Sequence, residues 1–167
     1  IDIGGGTTDI LVHYDGGIMH SAAIPQAGKN LTFDISHRFK TTIEQAEELK
    51  KKYGISKTAL ATNEKIIIKG VKGRESIEIS QKDLAEVIEP RMIEILTKSL
   101  EQIKKSNVAH KLNFGVVITG GGSQLKNLID LSQEIFNMPV KIGFPEIIDS
   151  EVSQYKNNPR YATAFGI

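Results

Sequence analysis

The segment that decides the fold is the N-terminal decapeptide IDIGGGTTDI, residues 1–10. It begins as an apolar strand that carries Asp2, turns through three consecutive glycines and continues with two threonines. Glycine lets backbone amides approach a ligand without an intervening Cβ, and a run of such amides forms a concave binding site for a phosphate. A phosphate-binding loop and an ordinary tight turn are the two interpretations of this segment.

The residues that follow indicate that the loop joins two strands. Segment 9–14 is rich in residues that favour β-strands, and the Asp-Gly-Gly turn at 15–17 is typical of a hairpin before a further strand over 18–24. The spacing excludes the P-loop motif and the Rossmann fingerprint, in which the glycines precede a helix. A phosphate bound here would therefore lie at a connection between two strands.

The composition is that of a globular protein, with 167 residues, 40% hydrophobic and 25% charged. A net charge of +1 argues against a dedicated nucleic-acid surface. The chain has no cysteine, which excludes disulfides and thiolate metal sites and fits a reducing compartment. No apolar run reaches the length of a membrane span, and the 4 histidines are scattered. Because the chain begins inside a strand without an initiator methionine, we expect it to be part of a longer polypeptide.

The middle of the chain predicts two helices and a hairpin. A capping box at 41–45 opens a helix that ends at Gly54, and Glu47 and Lys50 share a face of this helix. A solvated ion pair is the ordinary interpretation of these two residues. Strands at 65–69 and 75–79 flank a glycine turn, and a helix capped by Ser80 follows. Pro90 predicts a break or kink in that helix, which continues to about Ser106.

A second glycine turn lies near the end of the chain. An apolar strand over 114–119, predicted to be buried on both faces, ends in Gly120-Gly121-Gly122-Ser123, and a helix is expected directly after it. A helix N-terminus offers unpaired N–H groups and the positive end of a dipole, which suit an anion or ribose oxygens. A tight turn between strand and helix is again the alternative. A strand at 140–143 and a short helix over 160–167 complete the chain.

The order of these elements suggests an insertion within one lobe. Residues 1–40 and 107–167 are predicted to form one subdomain, and residues 41–106 a smaller inserted subdomain. This organisation resembles the second lobe of the superfamily that contains actin, the sugar kinases and the 70-kDa heat-shock ATPases. Within it, the chain is most similar to the FtsA family of bacterial cell-division proteins. The segments that carry the resemblance are IDIGGGTTDI at 1–10, AEELKKKYG at 46–54, LAEVIEPRMIEIL at 84–96, GVVITGGGSQLKNL at 115–128 and PRYATAFGI at 159–167.

The resemblance implies an α/β fold of the actin-like (ribonuclease H-like) type, with a mixed sheet, helices on both faces and a small α/β insertion. It also implies a site for ATP and Mg²⁺, with Asp2 near the metal through water. Glu47 and Lys50 would then reach the ribose and adenine. The phosphates would be held by Gly4, Gly5, Gly6 and Thr7 with a hydroxyl from Thr7 or Thr8, and the adenosine by Gly120, Gly121, Gly122 and Ser123.

The function implied by the resemblance is that of an ATP-binding adaptor in cell division. Such a protein links the FtsZ ring to the membrane, assembles into filaments with other division proteins at the septum, and lies at the cytoplasmic face of the membrane. Segment 54–88 would dock the FtsZ C-terminal tail, with Arg91 as a basic anchor. Membrane contact would require a segment outside this sequence. At most weak ATPase activity is expected; a pilus-assembly or rod-shape scaffold, or a metabolic kinase of the same fold, is the alternative.

Overall fold

The computed structural model describes residues 1–71, 73–112, 114–145 and 155–165. These residues form seven strands: β1 Asp2–Ile3, β2 Thr8–Tyr14, β3 Gly17–Ile24, β4 Lys65–Ile68, β5 Ile77–Ser80, β6 Val116–Ile118 and β7 Val140–Ile142. The α-helices are α1 Gly28–Phe39, α2 Ile43–Tyr53, α3 Gln81–Lys104, α4 Leu128–Phe136 and α5 Ala162–Phe165. Short 3₁₀ turns lie at Thr58–Leu60, Ala109–Lys111, Gly121–Gln124 and Pro159–Tyr161.

The central feature is a mixed sheet built on β1. Strands β1, β2 and β3 are antiparallel neighbours, and β6 and β7 are parallel. The two groups meet where the Ile3 N–H donates to the Thr119 carbonyl at 2.9 Å and the Thr119 N–H donates to the Ile1 carbonyl at 2.8 Å. The strand order is therefore β3-β2-β1-β6-β7, which confirms the predicted α/β class with a mixed sheet.

The glycine-rich loop connects β1 to β2, as the sequence predicts. The following hairpin places Asp15 at φ 51° and Gly16 at φ 76°. Two consecutive left-handed residues define the tight turn whose twist matches that of antiparallel strands. The N-terminal half of the sheet is thus fixed by local sequence.

The long helices cover one face of the sheet. Side chains such as Ile3, Ile10 and Ile118 are buried on this face, against which α3 and α4 pack. On alternate positions Leu11 is 55% and Val117 43% exposed, so β6 is not buried on both faces and that prediction was wrong. The short helix α5 reaches the sheet next to Asp2, to which the hydroxyl of its Thr163 donates.

Helix α3 runs unbroken through Pro90, so the predicted break is not observed. Its first turn is capped by Ser80 and Asp83, each of which accepts from the backbone N–H of the other. Proline removes the hydrogen bond to the carbonyl of Glu86, four residues earlier, and both residues are exposed. Because water can satisfy that carbonyl, the helix tolerates the proline.

Helix α3 also joins the two predicted subdomains. It contacts strand β5, which belongs to the antiparallel hairpin β4–β5. It also packs on α1 and on strands β2 and β3 of the mixed sheet. The predicted boundary at residue 106 places the whole helix in the insertion, whereas its contacts belong to both units. The division into two subdomains stays a prediction. Within the part of the chain that the structure describes, no helix combines the length and apolar character needed to cross a membrane.

Candidate functional site

The two glycine-rich turns face a single cavity of about 1010 Å³. One wall is formed by Gly4 and Gly5 and another by the turn 120–122, with α1 and α2 between them. Asp2 also lines the cavity. The lining also includes Gly28, Lys29, Thr32, Glu47, Lys50, Lys51, Lys126, Arg160 and Thr163.

The first glycine loop is held by the N-terminus of α1. The Gly4 N–H donates to the Thr7 carbonyl at 3.0 Å, which closes the turn. The N–H groups of Gly28 and Lys29 then donate to the carbonyls of Gly4 and Gly5 at 3.1 and 2.8 Å. The loop therefore satisfies two of the N–H groups that a helix N-terminus leaves unpaired. Its shape depends on α1 as well as on its own glycines.

The space around Gly5 and Gly6 distinguishes them from structurally required glycines. A Cβ on Gly5 would come no closer than 4.0 Å to Cε of Lys29, and a Cβ on Gly6 would have no neighbour within 4 Å. Neither residue has a left-handed φ. At Gly120, by contrast, φ is 84° and a Cβ would collide with the Asp2 carboxylate and the Ile3 carbonyl. The fold thus requires glycine at 120 and leaves an open cradle at 5 and 6.

The second glycine turn differs from the prediction. Residues 121–124 form a 3₁₀ turn, in which the buried Ser123 hydroxyl donates to the Gly120 carbonyl at 2.7 Å. Helix α4 begins only at Leu128, after Asn127 in the left-handed region at φ 59°. The predicted helix directly after the glycines was therefore wrong, and no long helix dipole points into the cavity from this turn.

Glu47 and Lys50 lie together at the cavity, on α2. The Lys50 ammonium donates to Glu47 Oε2 at 2.7 Å and to the Thr32 hydroxyl at 2.8 Å, and Thr32 in turn donates to Glu47 Oε2 at 2.5 Å. Burial alone would raise the pKa of Glu47, but hydrogen bonds from Lys50 and Thr32 and the charge of Lys50 outweigh burial and lower this pKa to about 2. Glu47 is therefore ionised at neutral pH.

Asp2 lies at the edge of the cavity, where the Thr163 hydroxyl donates to it. Among the described residues, no group of three or more acidic or histidine side chains is close enough to hold a metal ion. Mg²⁺ commonly uses one or two carboxylates together with waters and substrate phosphates. A single carboxylate beside a phosphate cradle fits that mode of binding and does not fit an all-protein metal cage.

Four of the predicted nucleotide ligands do not line the cavity. Thr8 is buried, and its hydroxyl donates to the Gln26 carbonyl at 2.8 Å, so this hydroxyl is directed away from a ligand. The exposed Thr7 hydroxyl donates to Asp9 at 3.1 Å. Gly6 and Ser123 also do not line the cavity. Gly6 is exposed in the loop, and Ser123 is buried with its hydroxyl hydrogen-bonded to the Gly120 carbonyl.

The structure gives Arg91 an internal role. Its guanidinium contacts Asp34 through Nε at 2.6 Å and Nη2 at 3.1 Å, and Glu94 through Nη1 at 2.5 Å. The hydrogen bond that Arg91 donates to Asp34 and the charges of both carboxylates raise the pKa of Arg91. Two carboxylates already neutralise this side chain, so it is poorly suited to anchor an acidic tail, and it instead ties α3 to α1.

Sequence reasoning missed several cavity residues. Lys29, Lys126 and Arg160 bring positive charge to the lining, and Arg160 lies beside Gly121. The Arg160 backbone is fixed by Asn158, whose side chain accepts from the Arg160 N–H at 3.1 Å. The signal that could have found Lys29 is its position in the first turn of the helix after β3.

A mixed five-stranded sheet beside a helix–hairpin unit, with a cavity between two glycine turns, defines an actin-like fold. One similar solved structure is that of MreB5 of Spiroplasma citri bound to AMPPNP, with a TM-score of 0.80 and 23% identity. The match covers 99% of this chain and 49% of that one. Another is the PilM–PilN type IV pilus biogenesis complex, with a TM-score of 0.70, 20% identity and 43% of that chain covered. MreB5 was also solved bound to ADP, with a TM-score of 0.78.

The family model for Cell division protein FtsA matches residues 1–166, so this chain belongs to the FtsA family. It is 38% identical over 168 residues to the FtsA of Pseudomonas aeruginosa and 35% identical over 175 residues to that of Escherichia coli K12. In both comparisons the whole chain is covered, and it spans only 40% and 41% of these relatives.

Proposed function

We propose that this chain forms one wall of the ATP site of an FtsA-type division adaptor. The observation that carries the proposal is the single cavity shared by the two glycine turns, with room at Gly5 that the fold does not use. Nucleotides bound to the structurally similar MreB5 support the choice of ATP.

The assignment places the nucleotide along the cavity. Backbone N–H groups of residues 5–7 would hold the β- and γ-phosphates, and Asp2 would hold Mg²⁺ through water, where the ion would offset phosphate charge. Adenosine lies beside the turn 120–122. Lys29, Lys126 and Arg160 offset the phosphate charge, since cations that line a cleft raise the local concentration of an anionic ligand.

A titration with and without Mg²⁺ tests the assignment of Asp2. We expect Asp2→Asn, which keeps the shape of the side chain, to weaken MgATP binding by about tenfold in the full-length product of the gene, because one metal contact is lost. ATP binding in the presence of EDTA should change little. The proposal fails if the wild-type protein binds no nucleotide, or if Asp2→Asn weakens binding equally without Mg²⁺.

We also propose that the adaptor binds the FtsZ C-terminal tail in a groove between α1 and the β4–β5 hairpin. This groove, about 540 Å³ in volume, has an apolar floor that includes Ile68 and Ile79. Four cations, Arg38, Lys40, Lys69 and Arg74, and two carboxylates, Glu75 and Asp83, line it. The excess of positive charge fits an acidic peptide with apolar side chains, and it replaces Arg91 as the anchor.

Charge reversal tests this groove. Lys69→Glu should weaken binding of an acidic FtsZ tail peptide by about tenfold or more, since it replaces an attraction by a repulsion. Lys52→Glu, which reverses an exposed charge of α2 outside the groove, is the matched control and should change binding little. Fluorescence anisotropy at two salt concentrations measures both. Equal effects of the two variants would contradict the groove, and absence of binding by the wild-type protein would contradict the partner.

The remaining parts of the proposal rest on family membership. A septal position at the cytoplasmic face of the membrane, filament assembly, contacts with other division proteins and membrane attachment through a segment outside this sequence all belong to the whole adaptor. The second candidate is a scaffold of the pilus-assembly type, favoured by the similarity to PilM. Binding to an FtsZ tail peptide distinguishes the two. A metabolic kinase receives no support from the relatives.

A further inference from the structure

The ammonium group of Lys50 is enclosed by protein atoms. It donates to the Gly28 carbonyl at 2.9 Å, the Thr32 hydroxyl at 2.8 Å and Glu47 Oε2 at 2.7 Å. An ammonium has three N–H donors, so the protein uses all of them. The Lys50 side chain is only 13% exposed and Thr32 is buried. In this arrangement all three donors of Lys50 are directed at protein acceptors.

These hydrogen bonds continue into the glycine loop. Gly28 is the first residue of α1; its carbonyl accepts from Lys50, and its N–H donates to the Gly4 carbonyl at 3.1 Å. One turn further along α1, the Thr32 hydroxyl accepts from Lys50 and donates to Glu47. A continuous series of hydrogen bonds thus runs from α2 through the first turn of α1 to the loop that faces the cavity.

We infer that Thr32 and Lys50 are positioning residues that hold the glycine loop in its phosphate-binding shape. This inference rests on the proposed ATP site and changes the role of Lys50 within it. Glu47 is then the member of the pair that contacts the nucleotide, because among the described residues the one cation that pairs with its Oε1 is the exposed Lys51 ammonium, at 3.3 Å. Lys50 acts on the ligand through Gly28 and Gly4.

The two roles predict different ligand dependence. If Lys50 contacted the ribose or adenine, loss of the contact would weaken ATP and adenosine by the same factor. If the hydrogen-bonded cluster of Thr32, Glu47 and Lys50 positions the loop, loss of these hydrogen bonds weakens the binding of ligands that carry phosphates. The binding of adenosine then stays almost unchanged. Because Thr32 is only 3% exposed, a change of its hydroxyl tests the positioning role with little direct effect on ligand contacts.

The experiment compares Thr32→Val, which keeps the side-chain shape and removes the hydroxyl, with Thr32→Ser, which keeps the hydroxyl. The matched control is Ser36→Ala, which removes another α1 hydroxyl, one that donates to the Thr41 carbonyl at 2.8 Å. In the full-length gene product we expect Thr32→Val to weaken MgATP by about tenfold, since hydrogen bonds to charged groups contribute factors of about 10 to 100. Adenosine binding should change by less than about threefold. Thr32→Ser should restore MgATP binding, and Ser36→Ala should leave it intact.

Amide hydrogen exchange without nucleotide provides an independent readout. Thr32→Val should raise exchange in segment 3–8, which Ser36→Ala should not, because only the first loosens the loop. Equal weakening of MgATP and adenosine, or unchanged exchange in segment 3–8, would overturn the inference. A wild-type protein that binds no nucleotide would overturn the ATP site itself, while the exchange data would still decide whether the cluster holds the loop.

Discussion

Gly5 and Gly120 line the same cavity but are glycine for different reasons. Gly5 has a permitted backbone conformation and space for a side chain, whereas Gly120 has φ 84° and no space beside Asp2. A glycine that the fold does not need is explained most simply by close approach of a ligand. Substitutions at these two positions can therefore distinguish an effect on ligand binding from an effect on folding.

Alanine substitution at each position gives opposite results. Gly5→Ala should change the free energy of unfolding by less than about 1 kcal/mol and weaken ATP binding at least about tenfold. Gly120→Ala should cost about 2–4 kcal/mol of stability, because it adds a strained φ to a steric clash. Urea unfolding and nucleotide titration measure the pair. Unchanged ATP affinity in Gly5→Ala would refute its place at the phosphates.

The charge of Glu47 makes stability depend on pH. Its pKa of about 2 in the folded protein lies below the ordinary value of 4.5, so the folded state binds its proton more weakly than the unfolded state does. The resulting stabilisation is complete above about pH 4.5 and is lost as the pH falls towards about 2.

Glu47→Gln should therefore lower the melting temperature at pH 7. The gap between wild type and variant should narrow from about pH 4.5 downwards, because the wild-type carboxyl then also becomes neutral in the unfolded state. The difference between the two proteins is the relevant quantity, since Glu94, with a pKa of about 2, titrates in the same range. A gap that stays constant down to about pH 2.5 would contradict this origin of the stability.

At the scale of elements, the continuity of α3 through Pro90 indicates that packing against its neighbours stabilises this helix. An interior proline costs a helix about 3 kcal/mol, yet α3 is continuous over 24 residues because it packs on the sheet, α1 and the hairpin. Tertiary contacts therefore override the local preference of this residue.

Pro90→Ala should raise the free energy of unfolding by about 1–3 kcal/mol, because it restores a backbone N–H donor to the helix. Loss of the proline also increases the conformational entropy of the unfolded chain, which offsets only part of this gain. Thr97→Ala, at another exposed position of α3, is the control and should gain less than about 0.7 kcal/mol. Denaturant unfolding measures both. A loss of stability in Pro90→Ala would mean that the packing of α3 depends on the proline.

Local sequence signals predicted most elements correctly. The Asp15-Gly16 turn, the Thr42 cap of α2 and the Ser80 cap of α3 all rely on interactions within a few residues, and all are observed. Such features can be predicted because turn and cap preferences are intrinsic to the residues involved.

The errors and omissions arose where distant parts of the chain decide the outcome. The exposure of Val117 depends on which face the helices cover, and the internal ion pair of Arg91 depends on Asp34, from another helix. The 3₁₀ turn after Gly120 is stabilised by Ser123 and precedes a left-handed Asn127. The sequence pattern alone indicates none of these long-range partners.

At the scale of the whole molecule, we propose that this cavity forms one side of the nucleotide site. The chain spans about two fifths of the length of its relatives. Catalysis of phosphoryl transfer requires exclusion of bulk water and positioned groups around the γ-phosphate. This chain supplies a loop, a carboxylate and several cations, all on one side.

We therefore expect this chain alone to hydrolyse ATP weakly or not at all. It should bind MgATP more weakly than the full-length gene product if that product contains a second lobe, because closure adds contacts and removes water. A phosphate-release assay and a titration on both proteins measure this. Asp2→Ala serves to identify true turnover, since contaminating ATPases would be unaffected by it. Robust Mg²⁺-dependent hydrolysis by the chain, abolished in Asp2→Ala, would mean that the groups described in this cavity are sufficient for catalysis and that a second lobe is not required.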